Sequence, residues 1–547
     1  MEDLWQEDVY EGLPASSAVA MTVMERSGIR RLIDSLVEYD RGQRKLSPGM
    51  AVKAMIAPIF DMRKKMPLSG IRHFHRATPT DLFFGKNVSV EGLNDSALGR
   101  SLDDLFDAGL EDMFWKCSSM IKRKFGFDSK IKHMDATNYS VWSVPPEYYT
   151  DGALPAFGGN AKNGRNDLLQ YSAATVTDGD RILEYCKAYS GNTADGVMNA
   201  ETIEFLKERI DAHENVLIAD CKLVSGPLIN ELNNIGMGFI SKLPSSFSGK
   251  IRDRIIASAM SGIMDTSSVN GYETYETECE TEECGKLRVI AYRSPKGTKK
   301  AMEYLERQGL REAEKRFKPF LKKEFACEAD AKAMFDDVMK EHVNSAYIVT
   351  GRTVRIDEII RRKTRGRPPK GSAEPETKEK WKVETSMIFD KNRAVGLANV
   401  HGMSVIVTNL RFVTEDAENI RHGATSDTVL RLYLDQHKVE KTYRLMKSGM
   451  GVDSVYVHTP SRANALLFVV AIATLVSSIM DALIKRSGNG RQKTVKQVCT
   501  EIQSASFIYH RNEERMSVMG PKGSAAEVSS FVRILELAPS DMFSLLE

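Results

Sequence analysis

The sequence predicts an α/β protein in which one sheet-forming domain is split by an insertion and flanked by a helical N-terminal region and a helical C-terminal tail. Three observations carry that expectation. Apolar residues recur at helical spacing up to about residue 128. Three strand-like segments follow, and then helix and strand alternate. After a long charged interval the same rhythm resumes.

In the helical region, residues 1–128, MTVMERSGIRRLIDSLVEY and ALGRSLDDLFDAGLEDMFWKCSSMIKRKF show the helical period, and Ser47-Pro48-Gly49 fits a helix start. Basic residues Arg30, Arg31, Arg63, Lys64 and Lys65 make this region a candidate DNA-reading module; plain scaffold is the equal alternative, since no helix-turn-helix signature is present. Residues 129–244 hold the first part of the split domain: strands at Ile131–Thr137, Leu169–Thr177 and Arg181–Tyr189, the last two joined by the turn Thr177-Asp178-Gly179-Asp180. A helix near Asn199–Ala212, a strand at Asn215–Asp220, a helix near Leu228–Ile235 and a strand at Met237–Lys242 come next. The insertion, 245–395, combines a β segment (YETYETECETEECGKLRVIAYR), a charged helical stretch from about Thr298 to His342 and the basic run RRKTRGRPPKGS; Lys380–Asn399 reads as strand-like. Residues 396–486 resume the domain with the strand MSVIVTNL and a long helix, and 487–547 form the tail, whose AEVSSFVRILELAP pattern suits dimerisation.

At 547 residues the chain has room for several domains, and 42% hydrophobic with 27% charged residues is ordinary globular composition. A formal charge of +2 neither demands nor excludes a polyanion, because the clustering of basic residues decides that. Seven scattered cysteines argue for reduced thiols and a cytoplasmic setting rather than a disulfide framework. Cys279 and Cys284 lack the further pair a structural zinc needs. The acidic start MEDLWQEDVYEG has no secretory layout. Ala465–Met480 is apolar throughout but shorter than the ~20 residues a spanning helix uses, so a buried core helix is expected and no membrane partner.

Asp135 lies within the strand IKHMDAT and Asp220 ends NVLIAD, positions that hold a carboxylate at the rim of a sheet. Taken singly, an Asp there also starts a turn or caps the next helix. On the helix after Asn409, Tyr433, Glu440 and Lys447 are seven residues apart with Gln436 and Arg444 between them, so an acid, cations and a phenol share one face. An exposed face with i,i+4 ion pairs accounts for that spacing equally well.

The ordered set of contexts resembles the DDE transposases of prokaryotic insertion sequences, within them the branch with a Tyr-Arg-Glu-Lys signature. Tyr433, Gln436, Glu440 and Lys447 match the signature spacing, with Gln in place of Arg. HMDAT, IADCKLVS, GNAKNGRNDLLQ, SGNTAD and MSVIVTNL are similar to the family's other motifs in the right order, from about residue 130 to 485. The resemblance implies an RNase H-like catalytic domain. It also implies catalytic and metal-ligating roles for Asp135, Asp220 and Glu440, which would hold two Mg²⁺ ions, with Mn²⁺ as a substitute. Tyr433, Gln436, Arg444 and Lys447 would contact DNA phosphates. Arg365 and Arg367, in a run like the core of an AT-hook, would enter a minor groove, unless that run is only a solvated linker. Double-stranded DNA, as terminal inverted repeats and target, and a homodimer in the synaptic complex are the implied partners. A hydrolytic nuclease without strand transfer and a non-catalytic DNA-binding protein derived from a transposase are the alternatives.

Overall fold

The computed structural model describes residues 11–61, 67–141, 152–156, 167–247, 250–342, 345–359, 377–444, 454–455, 459–487, 493–513 and 515–537. The chain forms two compact units. Met1–Ser241, Asn409–Ala424 and Arg431–Glu547 make the first, and Lys242–Thr408 with Thr425–Leu430 the second.

The first unit opens with a short strand, β1 (Glu11–Pro14), and helices that include Ala15–Ser27, Ile29–Leu36, Pro48–Phe60, Asp95–Asp107 and Leu110–Phe125. The expected helix start at Ser47 is present: its hydroxyl accepts from the Met50 N–H and Pro48 fills the first turn. Gly49 is required there, because a Cβ would lie 2.5 Å from the Arg30 carbonyl oxygen. These helices bury a charged network. Glu25 accepts from Lys53 Nζ at 2.9 Å and from Arg30 at 3.0 Å, and Arg30 also reaches Asp34. Arg30, expected among DNA-reading cations, is therefore held inside by two carboxylates, whereas Arg63, Lys64 and Lys65 lie outside the described residues.

The sheet of this unit runs β2 (Ile131–Val141), β3 (Leu169–Asp178), β4 (Leu183–Ser190), β5 (Val216–Ala219) and β6 (Gly238–Lys242). Its spatial order is β4-β3-β2-β5-β6, with β2–β3 and β3–β4 antiparallel and β2–β5 and β5–β6 parallel. The parallel strands need crossovers, supplied by the helices Asp195–Lys207 and Gly226–Asn234. At the start of β2, Lys122 and Lys132 meet Asp178 and Glu184 in a buried cluster. Burial, with the neighbouring Glu184, pushes the Asp178 carboxyl up to about 6.

In the second unit β7 (Asp265–Thr266), β8 (Glu273–Thr281) and β9 (Gly285–Arg293) form an antiparallel run. Three helices follow, Pro295–Arg307, Gly309–Leu321 and Glu328–Glu341, where the charged stretch predicted helix. β10 (Tyr347–Ile359) and β11 (Thr377–Phe389) make a two-stranded ribbon, paired residue for residue from Tyr347–Phe389 to Ile359–Thr377. Lys380–Asn399 was expected to be strand throughout. The strand ends instead at Phe389, because Asp390 caps the helix Lys391–His401 by accepting from the Asn392 and Arg393 N–H groups. β12 (Met403–Thr408), the strand MSVIVT, pairs antiparallel with β9.

The chain returns to the first unit along the helix Ser426–Arg444, whose residues from Arg431 onward belong there, and then β13 (Ser454–Val455). The apolar run is part of a 27-residue helix, Pro460–Arg486. By length and composition it would cross a membrane, yet 89% of its apolar window is buried inside the protein, as in the central helix of a folded domain. It packs on the N-terminal helices and β4, with Phe468 edge-on to Phe114 at 6.2 Å.

The tail differs from expectation. Between the helices Val495–Ile502 and Ser524–Ile534 lie two strands, β14 (Ser506–His510) and β15 (Arg515–Met519), giving a sheet in the order β1-β14-β15. Alternating apolar residues in SFIYH satisfy a half-buried strand better than a helix. Val528, Phe531 and Val532, the apolar face offered for dimerisation, are buried within the chain's own core.

Candidate active site

Two of the three predicted acids belong to neighbouring parallel strands, Asp135 on one and Asp220 just past the end of the other. β2 and β5 are parallel neighbours, with Ile131 opposite Val216 and His133 opposite Ile218. Counted on two residues past the last paired ones, that register reaches Asp135 on β2 and Asp220, one residue beyond the end of β5. Asp220 keeps extended backbone (φ −71°, ψ −178°) and is well exposed, while Asp135 is half-buried. Apolar VLIA buries β5 completely and ends at Asp220, so the first polar side chain emerges at the carboxyl end of the strand, where open α/β sheets bind ligands.

Each carboxylate is oriented by backbone. Asp135 Oδ1 accepts from the Ala136 N–H at 2.8 Å, and Asp220 Oδ1 from the Lys222 N–H at 2.9 Å, which caps the turn Cys221–Leu223. Ser241 on β6, fully buried and opposite Ala219, donates its hydroxyl to the Asp220 carbonyl at 2.6 Å. Lys222 extends its ammonium to within 3.9 Å of Asp195, the last residue of the SGNTAD motif. Gly191 of that motif is packed against backbone: a Cβ would lie 2.2 Å from the Gln170 carbonyl oxygen and 2.5 Å from that of Ala156. Sequence reasoning missed Ser241 and Lys222, because their roles depend on register and on a contact between separate motifs.

The third acid enters on the helix Ser426–Arg444. Its first turn is anchored in the second unit, where Asp427 accepts from Ser267 Oγ at 2.5 Å and from the Ser268 N–H at 2.8 Å. Tyr433 and Gln436 are half-buried on it. Glu440 and Arg444 lie on the same helix, but their side chains fall outside the described residues, and Lys447, Arg365 and Arg367 lie outside them entirely. β13, ten residues after Arg444, returns to pair in parallel with Ser140 and Val141 on the edge of β2 that β5 also uses. The chain leaving the Glu440 helix thus comes back to β2 five residues beyond Asp135.

Asp135 and Asp220 present hard oxygen donors of the kind Mg²⁺ or Mn²⁺ prefers, so the pair fits a divalent ion. Among the described residues no group of three or more His, Cys, Asp or Glu gathers in a ligating arrangement.

A family model described as "Domain of unknown function (DUF4277)" matches residues 17–119, a stretch that contains the buried Glu25–Arg30–Lys53 network. No curated protein matches the chain. Among solved structures the chain is similar to a piggyBac transposase in a synaptic complex with hairpin DNA, at 10% identity over 98% of this chain and 88% of that one, with a TM-score of 0.40. At that identity and score the likeness assigns no activity.

Proposed function

We propose that this chain is a DNA transposase of the DDE type, with an RNase H-like catalytic domain, that cleaves and joins phosphodiesters using Asp135, Asp220 and Glu440. The observation that carries the reading is that Asp135 on β2 and Asp220, one residue past the end of β5, belong to adjacent parallel strands. The sheet, three antiparallel strands extended by two parallel ones, supports the RNase H-like assignment. Asp135 and Asp220 would hold Mg²⁺ together with Glu440, and such ions activate the attacking oxygen and stabilise the departing one. The chain's own residues orient these acids: the Ala136 and Lys222 N–H groups fix one oxygen of each carboxylate, and Ser241 fixes the Asp220 peptide. Tyr433 and Gln436, with Arg444 and Lys447, are proposed to contact DNA phosphates; Gln436 supplies a hydrogen bond without the charge of an arginine.

The test uses the full chain with Mg²⁺ or Mn²⁺ and DNA carrying the sequences that flank its own gene. The expected result is cutting at inverted repeats, and joining of pre-cut ends into a plasmid. Asp135→Asn, Asp220→Asn and Glu440→Gln should each abolish both steps while DNA binding persists. Full cleavage by any of the three would sink the assignment, and cutting without joining would make the chain a hydrolytic nuclease.

A further inference from the structure

The helix Gly309–Leu321 carries an arrangement that the active-site reading leaves unused. Arg311, Lys315, Lys318 and Lys322, spaced four, three and four residues apart, are all exposed. At 100° per residue they fall within about 60° of one another, along about 16 Å of helix and its C-cap. The opposite side is the packing face, with Ala313 and Phe317 buried and Leu310 and Phe320 lodged against the core. The stripe therefore points straight away from the body of its unit.

Neighbouring acids are taken up elsewhere. Glu312 accepts from the Tyr304 hydroxyl, and Glu324 is bound by Lys380 at 2.7 Å and Lys382 at 3.2 Å. Among the described residues none of the four cations has an acidic partner; Glu314 only flanks the row. The four-residue steps Arg311–Lys315 and Lys318–Lys322 each join two cations, and Glu314, four residues before Lys318, forms no ion pair among the described residues. Four like charges in line repel one another, an unfavourable arrangement unless a polyanion lies along them.

We propose that this stripe binds the phosphate backbone of duplex DNA, a sequence-independent contact on the second unit. Duplex DNA carries a phosphate about every 3.4 Å along each strand, so 16 Å of helix face spans roughly five of them, enough to engage four cations. The inference rests on the reading of the chain as a DNA-acting protein and adds to it the surface that grips DNA away from the acids.

The experiment measures binding of the full chain to a fluorescently labelled mixed-sequence duplex over a series of KCl concentrations. The variant Arg311→Gln/Lys315→Gln/Lys318→Gln/Lys322→Gln is compared with the native chain. With about 0.9 counterion released per contact, log K against log salt should become shallower by about 3 to 4, with affinity at low salt down at least tenfold. Glu314→Gln, removing the flanking acid, should tighten binding. Lys187→Gln/Lys207→Gln, which removes two ion-paired lysines of the first unit, one half-buried and one exposed, should leave the slope unchanged. An unchanged slope in the fourfold variant overturns the inference, as does an equal fall in the control. So does loss of binding to phosphatidylglycerol vesicles with duplex binding intact. Asp135→Asn separates the two readings: retained cleavage counts against the active site alone, and its salt slope should match the native one.

Discussion

The Ser241 hydroxyl donates to the Asp220 carbonyl at 2.6 Å, linking β6 to the residue at which β5 delivers its acid. Ser241 is buried, and the Asp220 carbonyl also accepts from the Leu223 N–H at 3.2 Å. Ser241→Ala should cost about 1 kcal/mol in stability, the worth of one hydrogen bond, since the Leu223 N–H still meets the Asp220 carbonyl. It should also weaken divalent-ion affinity roughly 10- to 100-fold, as loss of outer-sphere support does. Calorimetric titration with Mn²⁺ alongside a melting curve checks this; a lower Tm with unchanged Mn²⁺ affinity would leave Ser241 a purely structural residue.

Gly191→Ala is expected to be poorly tolerated. The added methyl would sit 2.2 Å from one carbonyl oxygen and 2.5 Å from another, both backbone, so β3 or the segment at Ala156 must move. A loss of several kcal/mol in urea unfolding is predicted, in the range seen for overpacked or strained sites. Gly196→Ala, where nothing lies within 4 Å, serves as the comparison and should be nearly neutral.

His75 is buried, with Nε2 donating to the Ala54 carbonyl at 3.0 Å and Nδ1 beside Thr78 Oγ1 at 3.2 Å. Burial holds its pKa down at about 4, against 6.5 for a free imidazole. Between those two values the unfolded chain binds a proton that the folded chain does not. His75 thus contributes stability that is complete above pH 6.5, is lost as pH falls through that window, and amounts to on the order of 3 kcal/mol. In His75→Gln the fall in stability between pH 6.5 and 4 should be shallower, read from denaturant midpoints at several pH values.

Phe468, the ninth residue of the 27-residue helix, is 4% exposed. Phe468→Ala should lower stability by about 3–5 kcal/mol, as cavity-forming core truncations do. Thermal melting of detergent-free protein checks this. A chain that extracts only with detergent, or a variant with native Tm, would contradict placement of this helix in a protein core.

Much of the local structure was legible in sequence because it depends on nearest neighbours along the chain. Ser47-Pro48 starts a helix through its own capping bond, and VLIA is a buried strand because every residue is apolar. The alternation of strand and helix from Ile131 to Lys242 likewise follows from periodicity, with ends shifted by a few residues, as where Asp220 leaves the strand to cap a turn. Where local pattern was ambiguous it misled. The helical pattern of the tail holds over Ser524–Ile534 but gives no sign of the two strands before it, and Asp390 ends a strand whose pattern runs on to Asn399.

By itself, the sequence determined that Asp135 lies on a strand, that Asp220 follows one, and which residues share a helix face, since these follow from backbone periods of 2 and 3.6. Only the tertiary structure decided that the strand of Asp135 and the strand that ends just before Asp220 are parallel neighbours, because that depends on pairing between segments 85 residues apart. Tertiary structure alone also turned Arg30 inward, placed Ser241 behind Asp220, and left Arg311, Lys315, Lys318 and Lys322 facing outward. A charge in sequence has no partner until the chain folds, and whether it is consumed or displayed is settled by what packs beside it.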